Sequence, residues 1–175
     1  MNTTVYYVAA SLDGFIADQD QSLAWLVGHE LEESGPLTYE AFLARVGAVV
    51  MGSTTYEWIL EQAAGRWPYD LPCWVLTTRD LPTVDGDVRF ARGDVRPVHR
   101  DMVAAAGDKD LWIVGGGELA GRFADAGLLD ELIVTIAPVT LGRGAPLLPR
   151  ELDLRLVELA RNGAFVHTRY AVVAQ

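Results

Sequence analysis

Cysteine is nearly absent: Cys73 alone in 175 residues excludes an internal disulfide. The three histidines, His29, His99 and His167, lie far apart, which rules out a structural zinc motif. Positive charge is also scarce, with 14 Lys and Arg against 24 Asp and Glu and a formal net charge of -10. A surface of that sign repels a phosphate backbone, so nucleic acid is not an expected partner. A small phosphate-bearing ligand would have to be held by local donors instead. No apolar run approaches the length of a membrane span, and MNTTVYYVAAS lacks the basic and apolar regions of an export signal. Low-complexity linkers and internal repeats are missing too. With 50% hydrophobic and 22% charged residues, residues 1–175 read as one globular, cytoplasmic domain large enough to bury a core.

Short β-branched runs alternate with helical patterns along the chain. Strands are expected at Val5–Ala10, Ala48–Met51, Cys73–Thr77, Val88–Ala91, Leu111–Val114 and Leu132–Val139. Helices are expected at Tyr39–Val46, Thr55–Ala63, Pro97–Ala106 and Leu119–Ala126, with Pro97 suited to a first turn and Gly107 and Gly127 to helix stops. This alternation argues for an α/β fold with a mostly parallel sheet covered on both faces. The end differs: Leu154–Leu159 and Ala164–Val173 flank Arg161-Asn162-Gly163, a hairpin signal that adds antiparallel strands at one edge. In such sheets ligands bind beyond the carboxyl ends of the strands.

Three strand-to-loop junctions carry the candidate chemistry. In IVGGGELAG, Gly115, Gly116 and Gly117 end a strand and open a helix. Free N–H groups and the helix dipole there suit a diphosphate when no Cβ intrudes. A tight turn would need positive φ at one glycine, and three favour a close backbone approach. Gly115, Gly117 and Ala120 also spell G-x-G-x-x-A, but late in the chain, and Asp130-Glu131 opens the next strand rather than closing it. A Rossmann dehydrogenase is disfavoured on that ground. The second junction, MGSTTYE, puts Gly52, Ser53, Thr54 and Thr55 at a helix start, where Ser and Thr also serve as N-caps. The third, LTTRD, sets two hydroxyls beside Arg79, a pattern able to grip a phosphate monoester or to be an ordinary polar loop.

Together with VAASLDGFIA near the start and LLDELIVTIAPVTLGRGAPLLP near the end, these stretches resemble the dihydrofolate-reductase-like superfamily. They look most like stand-alone relatives of the riboflavin-biosynthesis reductase domain. The resemblance runs from about Val5 to Pro149 and implies a three-layer α/β/α fold with the C-terminal antiparallel hairpin. It further implies an NADPH-dependent reductase. Gly115, Gly116 and Gly117, with Glu118 and Leu119, would approach the cofactor diphosphate, and Gly52, Ser53, Thr54 and Thr55 match the second phosphate-contacting turn. Thr77, Thr78 and Arg79 match the loop that grips the adenosine 2′-phosphate, with Arg92 a fainter candidate. Ala9 and Ile16 match positions bordering the nicotinamide, and Ala17–Trp25 matches a flexible flap.

On the substrate side, Trp25 and Glu30 keep the tryptophan-to-carboxylate spacing of folate reductases, which implies Glu30 as the catalytic acid and Trp25 as a substrate contact. Gly28 replaces the intervening proline, and a solvated acidic run with Glu32 and Glu33 is the alternative for Glu30. Thr135 matches a substrate-side threonine, although an inward threonine on a strand is common. Asp13-Gly14 reads as a turn, and His99 and His167 as surface or strand positions. Hydride transfer needs few protein groups, because the cofactor supplies the chemistry. The expected activity is reduction of a small heterocyclic (pteridine- or pyrimidine-like) or carbonyl-type substrate. A non-catalytic NADPH-binding sensor or scaffold is the alternative. The apolar terminal hairpin adds the expectation of a homodimer.

Overall fold

The computed structural model describes residues 1–30 and 37–173; the acidic pair Glu32 and Glu33 lies outside them. The first strand, β1 (Thr4–Ser11), shows why the sheet is buried on both sides. Tyr6 and Ala10 enter one hydrophobic cluster while Val5 enters another across the sheet. The same alternation runs through β3 (Val46–Gly52), where Ala48 and Val50 face one way and Val49 and Met51 the other. A strand buried on both faces must be apolar at nearly every position, which is the pattern of a parallel sheet.

Between β1 and β3 lie the short strand β2 (Phe15–Ala17), a single 3-10 turn at Ala24–Leu26 and the helix α1 (Tyr39–Leu43). After β3 follow α2 (Ser53–Gln62), β4 (Cys73–Leu76), β5 (Val88–Ala91), α3 (Val95–Ala106), β6 (Asp110–Gly115), α4 (Gly117–Asp125) and β7 (Glu131–Ala137). The chain closes with β8 (Ala145–Pro146) and the hairpin strands β9 (Leu154–Asn162) and β10 (Phe165–Val172). The main sheet has eight strands in the order β5-β4-β3-β6-β1-β7-β10-β9. All pairings from β5 to β7 are parallel, and β10 then pairs antiparallel with both β7 and β9. Helices α3 and α4 pack on one face through Val95, Val98, Met102, Leu119 and Phe123, and α1 and α2 pack on the other through Phe42, Tyr56 and Ile59. The expected three-layer α/β fold with a mostly parallel sheet and a terminal hairpin is therefore observed.

Element ends moved for local reasons. α3 starts at Val95 rather than Pro97, because the Asp94 carboxylate accepts from the Arg96 N–H at 3.0 Å and caps the helix earlier. Pro97 still sits in the first turn, where its missing N–H costs nothing. β4 ends at Leu76, leaving Thr77 in the loop, and α1 stops at Leu43 because Val46 is already in β3. At the hairpin, Asn162 is the last strand residue, paired with Phe165. Gly163, with φ 56°, takes the first position of the two-residue turn. The two-stranded sheet β2–β8 escaped the sequence reading, since strands of three and two residues carry no readable alternation.

Candidate functional site

The crossover β3–α2–β4 carries the chain outward toward β5, whereas β6–α4–β7 carries it past β1 the other way. Right-handed crossovers in opposite directions put α2 and α4 on opposite faces. Neighbouring strands β3 and β6, in register at Met51 and Gly115, therefore send their helices apart and open a crevice at their carboxyl ends. The N-termini of α2 and α4 flank it. Thr38 and Asp94 side chains cap α1 and α3, but α2 and α4 begin at Gly52 and Gly116 with no side-chain cap hydrogen bond. Their first-turn donors and dipole ends are thus directed at the same opening.

The three glycines serve three different purposes. A Cβ at Gly115 would meet the Thr55 hydroxyl at 2.9 Å, so this glycine lets α2 and β6 touch and brings two of the sequence motifs together. Gly116 has φ +92°, with the Leu119 Cβ at 3.8 Å as the nearest atom a Cβ would face. A Cβ at Gly117 would collide with the Pro146 and Leu147 carbonyl oxygens, so the close approach there is the protein's own chain. Of the three, only Gly116 has open space beside it, as has Gly52 across the crevice, where a Cβ would meet nothing within 4 Å. Leu119 is 6% exposed and its side chain is core, leaving only its backbone for a ligand. Glu118 points outward to Arg150 at 2.8 and 3.2 Å.

Beyond the crevice a cleft of about 340 Å³ runs over the ends of β4 and β5, lined by Ser53, Leu76, Thr77, Thr78, Arg79, Gly93 and Arg122. Ser53, from the second junction, and Thr77, Thr78 and Arg79, from the third, share this lining. The Thr77 hydroxyl accepts from the Arg79 N–H at 3.0 Å, and the Arg79 guanidinium makes a two-point pair with Glu57 at 2.6 and 3.2 Å. Arg92 turns to Asp80 at 3.0 Å.

Ala9 registers with Thr135 on β7, and Thr135 with His167 on β10. The Thr135 hydroxyl and His167 Nδ1 are 3.0 Å apart, and the Tyr7 phenol donates to the Leu37 carbonyl at 3.3 Å. Burial raises the Tyr7 pKa, and the nearby Thr135 hydroxyl opposes that rise in part. His167 takes the strand position of the two expected, on β10, and is buried; burial holds its pKa below the ordinary value and so favours the neutral ring. This polar row escaped the sequence reading, because only the β7–β10 register sets His167 against Thr135. Trp25 donates to the Ser22 carbonyl at 3.1 Å, and Glu30 has an exposed side chain while its backbone carbonyl accepts from Ala164 N–H at 3.0 Å. His29 lies edge-on to Phe165, ring centroids 5.9 Å apart, which places the segment beside the hairpin tip. Ile16, in β2, packs against the cluster on the α3–α4 side. The segment from Ala17 to Trp25 is tied by Asp18, whose carboxylate accepts from the Asp20 and Ser22 N–H groups.

Asp13 clamps the loop after β7. Its carboxylate accepts from the Ser11 hydroxyl at 2.6 Å and from the Leu141 and Gly142 N–H groups at 3.0 and 2.7 Å. Those donors lower its pKa from 3.8 to about 2. A depressed folded pKa stabilises the clamp above the ordinary value and loses it as pH falls through about 2. The protection factors of the Leu141 and Gly142 amides, measured against the intrinsic exchange rate at each pH, should therefore be high at neutral pH and fall on acidification through that window. Asp13→Ala should show the low protection factors already at neutral pH; unchanged protection in that variant would refute the clamp.

A family model, the RibD C-terminal domain, matches residues 3–168. The chain belongs to the RibD C-terminal domain family. Bacillus subtilis (strain 168) protein YwjB, itself uncharacterized, is 36% identical over 95% of this chain and 96% of its own length. A solved structure from Shewanella sp. PV-4, whose protein is named for riboflavin biosynthesis, superposes with TM-score 0.83 and 28% identity over 98% of this chain and 99% of that one. The bifunctional diaminohydroxyphosphoribosylaminopyrimidine deaminase and 5-amino-6-(5-phosphoribosylamino)uracil reductase of Thermotoga maritima shares the fold at TM-score 0.67 and 16% identity, over 98% of this chain and 57% of that one. This RibD C-terminal domain thus has a reductase-like fold, with its crevice, cleft and polar row at one end of the sheet. Among the described residues no helix is long and apolar enough to cross a membrane.

Proposed function

We propose that this chain is an NADPH-dependent oxidoreductase acting on a small heterocyclic, pteridine- or pyrimidine-like, or carbonyl-type substrate. The observation that carries the reading is the pair of helix N-termini, free of side-chain caps, meeting at the β3–β6 crevice under open glycines, Gly52 and Gly116. Backbone donors without a Cβ suit a diphosphate, and the adjoining cleft offers hydroxyls and guanidinium groups to a phosphate monoester. The donor set fits the cofactor. NADPH, when bound, supplies the hydride. The backbone around Ala9 and the half-buried Ile16 would border the reacting ring, and Tyr7 with the Thr135–His167 pair would offer a polar floor to orient the substrate. Residues 18–30, anchored by Asp18 and by the hairpin, help exclude water. Glu30, exposed as it stands, would deliver a proton only after moving inward. That exposure is the observation favouring the second reading, an NADPH-binding module without turnover.

Calorimetric titration with NADPH, followed by NADPH oxidation against pteridines, pyrimidines, quinones and carbonyl compounds, tests both. Oxidation with one substrate class supports the reductase, and tight binding without oxidation by any supports the module. Failure to bind NADPH sinks both readings.

The partner of the terminal hairpin is proposed to be a second copy of this chain. Leu156 and Leu159 on β9 are 51% and 62% exposed, and Val166 faces solvent beside them on β10, an apolar face that a monomer leaves wet. A two-fold contact of this face would give a homodimer. Light scattering at micromolar concentration should return twice the chain mass, and Leu159→Lys should return the monomer. A strictly monomeric parent would end the proposal.

A further inference from the structure

The cleft over β4 and β5 contains a cation to which the sequence assigned no role. Arg122, half-buried on α4, lines it opposite Thr77, Thr78 and Arg79. The guanidinium groups around it differ in one respect. Arg79 is paired with Glu57, Arg92 with Asp80 and Arg96 with Asp94. The acids nearest Arg122 are taken as well: Glu118, one turn back on α4, and Asp125 both bind Arg150. Arg122 donates instead to the neutral Gly93 carbonyl, and among the described residues it is in no ion pair. Glu118 and Asp125 share Arg150 between them, and in a chain of net charge -10 a half-buried guanidinium that makes no ion pair among the described residues and lines a cleft of hydroxyls is a local attraction for an anion. An incoming phosphate at Arg79 must compete with the Glu57 carboxylate; at Arg122 it displaces only a carbonyl oxygen.

We propose that Arg122 is the residue that reads the adenosine 2′-phosphate in this cleft, with Thr77 and Thr78 as hydroxyl partners and Arg79 in a secondary role. This rests on the NADPH reading above. The planar guanidinium suits a phosphate through two parallel hydrogen bonds, which a lysine cannot reproduce. The position also explains why α4 places an arginine on the side of the helix that faces Gly93, at the start of α3, rather than toward solvent.

Calorimetry with adenosine 2′,5′-bisphosphate and with AMP isolates the phosphate from the rest of the cofactor. Arg122→Ala should weaken the bisphosphate at least about tenfold and change AMP little, because a charge-assisted pair is lost only for the former. Arg79→Ala should weaken the bisphosphate less, and Arg122→Lys should recover part of the loss. A merely structural link between Arg122 and Gly93 would lower the melting temperature but leave the ratio of the two affinities unchanged, and that result overturns the proposal. So does a larger loss in Arg79→Ala than in Arg122→Ala. A parent that binds bisphosphate no better than AMP overturns the NADPH reading itself; a parent that discriminates while Arg122→Ala still does overturns only the assignment to Arg122.

Discussion

Gly117→Ala should melt well below the parent even though alanine is the smallest side chain that can be added. The new Cβ would fall on the carbonyl oxygens of Pro146 and Leu147, inside any tolerable contact, and both partners are backbone. The segment it strikes cannot yield easily. β8 (Ala145–Pro146) pairs with β2, the Leu147 N–H donates to the Gly14 carbonyl at 2.9 Å, and the Leu147 carbonyl accepts from the buried Tyr6 phenol at 3.0 Å. Overpacking of this kind costs about 1–3 kcal/mol, occasionally more, and a backbone clash belongs at the upper end. At this chain length each kcal/mol lowers the melting temperature by about 2–4 °C. Gly52→Ala is the control, since its Cβ meets nothing within 4 Å and its φ of -86° suits any residue. A Gly117→Ala protein that melts with the parent would show that residues 145–147 do not rest on α4.

Gly116→Val should abolish the thermal response to NADPH while leaving a folded but weakened protein. The space above Gly116 is open except toward the first turn of α4, so a branched side chain fills the room proposed for the diphosphate. Its φ of +92° adds a second effect, because a β-branched residue is strained there by about 1–3 kcal/mol. The two effects separate by ligand dependence. At a hundredfold excess over Kd a bound ligand stabilises the native state by about 2.7 kcal/mol, so the parent's melt should move with NADPH. Gly116→Val should start lower and not move. Gly116→Ala carries much of the same backbone strain with less bulk and should keep part of the shift. A folded Gly116→Val protein with an undiminished shift would remove the diphosphate from this helix end.

The junctions were legible because each is written in consecutive residues. IVGGGELAG, MGSTTYE and LTTR each read as an apolar run followed by small or hydroxyl residues, and each occupies the carboxyl end of a parallel strand. Asn162-Gly163 marked the hairpin, displaced by one position in the turn. What those residues face was not legible. Three adjacent glycines suggested one common cause, yet one permits the contact with Thr55, one supplies a positive φ and one lies under Pro146 and Leu147. His167 carried no mark of its partner, since Thr135 is 32 residues away in sequence and only the β10 register brings them within 3.0 Å.

The sequence by itself therefore determined the α/β class, the mostly parallel sheet with its terminal hairpin, and the strand-to-helix turns at Gly52 and Gly116. Those properties follow from hydrophobic period, glycine placement and turn chemistry, all of which act between near neighbours in the chain. Only the tertiary structure decided which of the arginines lining the cleft is left out of an ion pair among the described residues. Arg79 stands next to an acid at Asp80 but pairs with Glu57, 22 residues earlier, and Arg150 reaches back 32 residues to neutralise Glu118. Charge pairing is a matter of distance through space, so the position of Arg122 outside the cleft's ion pairs is set by how α4 docks against the start of α3 and the segment around Arg150.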